Sequence, residues 1–168
     1  MSELIEIVKN KLQHKFGDAL LASEIHYDFP VFILQKNSVK EALQFLKEDP
    51  ELDFHFLTTM CGLHYPDLPA DKEFWLMYQL HNMPMNHRIR IKTFMPKEDM
   101  NMPTITDIWK TANWMERQEY DFFGFNFQGH PNLKRILNMD EMNYFPMRKE
   151  YPLEDIQRDD KDDRMFGR

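Results

Sequence analysis

The stretch ERQEYDFFGFNFQGHPNLKRIL, residues 116–137, decides the reading of this 168-residue chain. It opens as the end of a helix. Ile105, Ile108, Trp109, Ala112 and Met115 precede it at three- and four-residue steps, an apolar stripe at helical period with Thr104 as the predicted cap. Glu116, Arg117 and Glu119 put charge at the helix end, and Gly124 allows the backbone angles that stop a helix. Phe125 and Phe127 alternate with Asn126 and Gln128 in a short strand-like piece. Gly129-His130-Pro131 turns the chain, and residues 133–137 are apolar and basic. On residue types alone this is a helix end followed by a packed aromatic loop. Arg117 and Arg135 are then expected to pair with carboxylates among Glu116, Glu119 and Asp121, or with those of a neighbouring chain.

Upstream, Leu4, Ile5, Val8, Leu12 and Phe16 form one face of a predicted helix that Ser2 can cap and Gly17 ends. Residues 19–29 and 31–35 read as strands, with Pro30 marking an edge, bulge or junction because it cannot donate to a ladder. A second helix starts at Asn37-Ser38, carries Val39, Ala42, Leu43, Phe45 and Leu46, and closes at Asp49-Pro50. Residues 52–65 form a long strand candidate, with Phe54, Phe56, Thr58 and Met60 on one face and His55, Leu57 and Thr59 on the other. Residues 73–81 form another. In 86–94, His87, Ile89, Ile91 and Thr93 alternate with Arg88, Arg90, Lys92 and Phe94, so one face is basic and solvated or partner-facing. Residues 96–103 read as a connection.

This order predicts an α+β fold: two layers, with a mostly antiparallel or mixed sheet, helices on one face and an extended C-terminal arm. The core domain spans residues 1–137 and the arm 138–168. From Pro146 to Arg168, 13 of 23 residues are charged, so this segment cannot bury a core of its own. Residues 144–153 are expected to order on a partner, and the remainder of the tail to be disordered outside a complex.

Composition narrows the function classes. A net charge of −7 disfavours nucleic acid and anionic membrane as partners. The one cysteine, Cys61, permits neither an intrachain disulfide nor an iron–sulfur cage. The acidic start, Met1-Ser2-Glu3, is unlike a signal peptide, and no apolar run approaches the roughly 20 residues that span a bilayer. Seven histidines include no pair at zinc-ligand spacing; His14 and His26 read as surface residues, and His130 as bonded to a backbone or carboxylate neighbour. There is no glycine-rich phosphate loop, nucleophile elbow or dinucleotide fingerprint, so NADH is not expected to bind this chain.

Glu116-Arg117, Asp121, Gly124, Gly129-His130-Pro131 and Lys134-Arg135-Ile136-Leu137, followed by Pro146-Met147-Arg148-Lys149-Glu150-Tyr151-Pro152-Leu153, resemble the signature of one family. It is the 30 kDa (C) subunit of proton-pumping NADH:quinone oxidoreductase, respiratory complex I. Gln118 stands where the family usually has Glu, and Met147 where it has Leu. The resemblance implies a non-catalytic scaffold subunit of the peripheral arm, on the cytoplasmic face of the inner membrane and bound to the membrane only through partners. It implies no cofactor in this chain, with flavin and iron–sulfur clusters in partner subunits, and contact with the quinone-reducing D subunit and with the B subunit. The interface residues it implies are Glu116, Arg117, Asp121, Gly124, His130, Pro131, Lys134, Arg135, Arg148, Lys149 and Tyr151. Two alternatives stand beside it: the equivalent subunit of a related membrane-bound hydrogenase complex, and a small standalone enzyme using Glu116, Asp121 and His130.

Overall fold

The computed structural model describes residues 2–27 and 29–151, with side chains from residue 4 onward. The Ser2 side chain, on which the expected cap rests, and the tail beyond Tyr151 lie outside what is described. In chain order the elements are α1 (Ser2–Phe16), β1 (Leu20–His26), β2 (Phe29–Leu34), α2 (Val39–Glu48), β3 (Phe56–His64), β4 (Phe74–Asn82), β5 (His87–Met95), β6 (Asn101–Pro103), α3 (Ala112–Phe123) and β7 (Asn126–Gln128). The five long strands form one sheet in the order β1-β2-β5-β4-β3. Only β2 and β5 run parallel; the other neighbours are antiparallel, so the sheet is mixed, as expected.

One face of the sheet carries the core. Phe32 and Leu34 of β2, Leu57 and Met60 of β3, Leu76, Tyr78 and Leu80 of β4, and Ile89 and Ile91 of β5 are all buried. They share one cluster with Val8 and Leu12 of α1, Val39, Ala42, Leu43 and Leu46 of α2, and Ala112 of α3. The period-2 pattern of 86–94 holds: Ile89, Ile91, Thr93 and Met95 point in, while Arg90, Lys92 and Phe94 lie half-buried on the other side. Pro30 sits inside β2 opposite Ile25. The parallel ladder to β5 covers only Val31, Phe32 and Ile33, so the missing Pro30 N–H interrupts no bond there.

Three local expectations are corrected. The strand expected from residue 52 begins at Phe56, because Asp53 takes a left-handed φ of 39° and the chain turns there with Leu52 and Phe54 buried. A bulge between Leu57 and Thr59 then inverts the expected alternation, so Leu57 faces the core with Met60 and Phe56 is exposed. Second, residues 105–111 are turns and irregular backbone, and α3 starts only at Ala112. The stripe Ile105, Ile108, Trp109 and Ala112 is buried as expected, but the Ile105 N–H is taken by a side chain from inside α3 (below). Third, the predicted connection 96–103 contains β6, which pairs in parallel with β7, Asn101 opposite Asn126 and Met102 opposite Phe127. Three-residue strands leave too little alternation to read.

Candidate functional site

The residues 116–137 are assembled around α3. The helix ends as expected, with Gly124 in the left-handed region at φ 84°. The position is doubly restricted: a Cβ there would lie 2.7 Å from both Arg148 Nη2 and the Phe145 ring.

Glu116 and Glu119, three residues apart, share the buried face of α3. Glu116 accepts hydrogen bonds from the Ile105 N–H (2.7 Å) and the Thr104 hydroxyl (2.6 Å). Thr104 is therefore not the expected helix cap; it and Ile105 are tied to the middle of α3. Glu119 Oε2 accepts the N–H of Gly62 in β3 at 2.6 Å. Gly62 was absent from the sequence-based site, although a glycine inside an apolar strand is a signal of close approach by another group. Burial pushes Glu116 up to about 7 despite the Ile105 and Thr104 bonds, and pushes Glu119 up to about 7 despite Gly62. The Tyr78 hydroxyl, buried among the described residues without a hydrogen-bond partner, is raised by its burial and by both carboxylates.

The sign of the pH dependence follows. Both carboxyls keep their protons in the folded chain to higher pH than in the unfolded chain. Between about 4.5 and about 7 the unfolded state releases protons that the folded state retains, so stability falls as pH rises through this window and levels off above it. Urea unfolding of the full chain at pH 5 and pH 7.5 is expected to show lower stability at the higher pH, and Glu119→Gln is expected to flatten that slope. An equal slope in E119Q would show that Glu119 does not contribute to it alongside Glu116.

Asp121 forms the second knot. Its Oδ2 accepts three successive N–H groups, from Ile136 (3.0 Å), Leu137 (2.8 Å) and Asn138 (3.1 Å). Its Oδ1 accepts from Arg135 (2.9 Å) and the Asn138 amide (3.0 Å). Burial alone would raise this carboxyl, but the bonds from Leu137, Asn138 and Ile136 outweigh it and hold Asp121 well below the usual carboxylate range. Arg135 reaches onward to the carbonyls of Met142 (2.9 Å) and Tyr144 (3.1 Å) and lies over the Phe145 ring. Arg148 donates to the Phe123 carbonyl at 2.7 Å and sits over the Phe74 and Phe145 rings. The Lys149 N–H donates to His64 Nδ1, whose Nε2 meets Glu73 at 2.7 Å. Residues 139–151, up to the end of the described chain, are thus fastened to α3, β3 and β4 of their own chain.

The pairing expected for Arg135 is present, with Asp121, whereas Arg117 meets backbone carbonyls rather than Glu116, Glu119 or Asp121. Arg117 donates to the carbonyls of Lys134 (3.1 Å) and Arg135 (3.2 Å) and lies over Trp114. Successive helix residues are about 100° apart, so Arg117 cannot follow Glu116 into the interior. His130 bonds backbone neighbours as expected: Nδ1 accepts the Asn132 N–H, leaving Nε2 to donate to the Asn113 carbonyl at 3.1 Å, with Glu116 Oε2 4.0 Å away. Of the eleven residues implied as an interface, Glu116 and Asp121 are fully buried. Arg117, Gly124, His130, Arg135 and Arg148 are half-buried around them, and Pro131, Lys134, Lys149 and Tyr151 are exposed.

The family model described as "Respiratory-chain NADH dehydrogenase, 30 Kd subunit" matches residues 32–157. The chain belongs to this family. It is 36% identical over 143 residues to the NADH-quinone oxidoreductase C 2 subunit of Rhizobium etli, covering 84% of this chain and 74% of that one. It is also 36% identical over 149 residues to the fused C/D subunit of NADH-quinone oxidoreductase from Acinetobacter baylyi, covering 86% of this chain but 25% of that one. Among solved structures, the trypsin-resistant fragment of Nqo5 superposes with a TM-score of 0.65 at 28% identity, covering 79% of this chain and 98% of the fragment. The fold is the same. A polypeptide of the membrane-bound sulfane sulfur reductase, an archaeal respiratory membrane complex, superposes with a TM-score of 0.70 at 26% identity, covering 88% and 85%. The family's relatives are thus subunits of an enzyme complex, NADH-quinone oxidoreductase. Among the described residues, no helix is long and apolar enough to cross a membrane.

Proposed function

We propose that this chain is a non-catalytic scaffold of the peripheral arm of NADH-quinone oxidoreductase, packed on the quinone-reducing D subunit and reaching toward the B subunit. In this reading it holds no cofactor; flavin and iron–sulfur clusters reside in partners, and the chain meets the membrane, at its cytoplasmic face, only through them. The observation that carries the reading is how the motif uses its charges. Glu116, Asp121 and His130, the groups a standalone enzyme would use, each bond backbone groups of their own chain. Electron transfer requires fixed geometry between partners, and a rigid, internally bonded surface serves that need. The natural fusion of C with D in Acinetobacter supports D as the neighbour. Exposed Pro131, Lys134, Lys149 and Tyr151 would then touch partners, with Arg117 at their margin, while Glu116, Asp121, Gly124, His130, Arg135 and Arg148 shape the surface that carries them.

The likeness to a component of the sulfane sulfur reductase complex favours a second reading, the same scaffold part in a related membrane complex with another electron donor. Purification of the tagged chain from its native membranes in mild detergent, with mass spectrometry of what accompanies it, separates the two. Recovery of the D, B and flavin-bearing subunits with quinone reductase activity supports the first. Recovery of the large subunit of another respiratory complex supports the second. Turnover by the isolated chain with no partner recovered would overturn both.

A further inference from the structure

Tyr78 of β4 is fully buried, yet among the described residues no partner lies within hydrogen-bond reach of its hydroxyl. A buried hydroxyl without a bond is costly and rare. The acceptors that face it belong to α3. Burial raises the Tyr78 phenol, and Glu116 and Glu119 both raise it further, which places their charges about it. Strand register agrees. Glu119 Oε2 holds the Gly62 N–H, Gly62 lies opposite Leu76, and Tyr78 is two residues on, opposite Met60 and on the same face of β4 as Leu76. Such diagonal neighbours are about 7–8 Å apart, within reach of an aromatic side chain. Glu116 lies one turn before Glu119 on the same buried face of α3. A hydroxyl and two carboxyls thus face one another in an apolar interior, with the hydroxyl too far from either carboxyl for a direct bond. Polar groups separated in this way are what a bridging water joins.

We propose that an ordered water molecule lies between α3 and β4, accepting a hydrogen bond from the Tyr78 hydroxyl and donating one each to the Glu116 and Glu119 carboxyls. About three bonds satisfy a buried water. Both carboxyls have acceptor capacity left, since an oxygen that takes one N–H or O–H retains a second lone pair. The water seats α3 on β4 as the Gly62 bond seats it on β3. Its hydrogens also favour the ionised carboxylates, so it matters most above the values of about 7 at which Glu116 and Glu119 lose their protons. Four other titratable groups surround the pair. Cys61 of β3 is raised by its burial and by Glu119, and Lys40 of α2 is paired with Asp107 at 2.8 Å. His130 Nε2, 4.0 Å from Glu116, is turned to the Asn113 carbonyl. None of the four reaches the Tyr78 hydroxyl.

The test compares the full chain with Tyr78→Phe. Magnetic relaxation dispersion of the solvent, which registers water held inside a protein, is expected to register one molecule fewer in the variant. In urea unfolding the folded-to-unfolded ratio of Y78F is expected to fall about tenfold at pH 8 and by less at pH 5, because the bridge supports the ionised carboxylates. A hydroxyl that bonds nothing gives the opposite sign, since its removal leaves stability unchanged or raises it. Y78F as stable as wild type, or more stable, at both pH values therefore overturns the inference. So does a destabilised Y78F that retains the wild-type signal of held water, which would assign the loss to packing. An equal loss at the two pH values would mean that the bridge does not reach the carboxyls, and overturns it as well. If Y78F does not fold, crystals of the wild-type chain decide. A solvent peak within hydrogen-bond distance of the Tyr78 hydroxyl and of both carboxyls upholds the site, and a map without one overturns it.

Discussion

An Asp121→Ala chain is expected to lose about 4 kcal/mol of folding stability, measured by urea unfolding of the full chain. The carboxylate is fully buried and faces a guanidinium that is nearly so. Its removal strands the Arg135 charge against the interior and leaves three N–H groups of residues 136–138 without their acceptor. A buried donor left unpaired costs about 1–3 kcal/mol, and an uncompensated buried charge more. The damage is expected to concentrate in residues 134–151, because Arg135 also holds Met142 and Tyr144. Trypsin should then cut after Lys134 or Arg135 in the variant sooner than in wild type. The contribution is pH-dependent with the ordinary carboxylate sign. The folded carboxyl lies below its unfolded value, so the stabilisation is complete above the unfolded value of 3.8 and is lost as pH falls toward the folded one. A loss under about 1 kcal/mol, well short of the range for breaking a buried ion pair, would mean that the knot is not holding the segment.

Gly62→Ala is expected to cost about 3 kcal/mol, although it adds one methyl group to a strand. The new Cβ would lie 2.6 Å from Glu119 Oε2, 2.7 Å from the Phe125 ring and 2.8 Å from the Phe123 ring. None of these neighbours can withdraw cheaply. Phe125 is fully buried and packs edge-on against Phe74 at 6.3 Å, and Phe123 lies beside it at 6.1 Å. Glu119 can move only by releasing the Gly62 N–H that it binds. Overpacking and the loss of a buried hydrogen bond therefore act together. Cys61→Ala, the neighbouring position with its side chain half-buried, is expected to cost under about 1 kcal/mol and serves as the control. Similar thermal unfolding midpoints for G62A and C61A would refute the close contact between α3 and β3.

The sequence by itself determined the elements whose signals are local. The stripe of Val8 and Leu12, the helix from Val39 to Leu46, the alternation of Ile89, Ile91 and Thr93, and the stop at Gly124 all follow from backbone period and allowed φ. The motif also carried the family, since residue order over 116–137 and 146–153 needs no coordinates to compare. Burial was legible even where conformation was not. Ile105, Ile108 and Trp109 are interior, but apolar spacing reports which side is covered and not whether the backbone beneath is helical. Only the tertiary structure decided which groups meet. The parallel pairing of β2 with β5 joins segments more than fifty residues apart, and the β6–β7 pair is too short to show a period. The bulge at Leu57 changed which residues of β3 face the core. The direction taken by each charge was likewise a tertiary outcome. Glu116, Arg117 and Asp121 are near neighbours in sequence. The helix sends the first into the core and the second to surface carbonyls, and brings the third to the backbone of residues 136–138. A charged residue's partner is set by the low-dielectric surroundings and donors that the folded chain supplies, and these come from residues far along the chain.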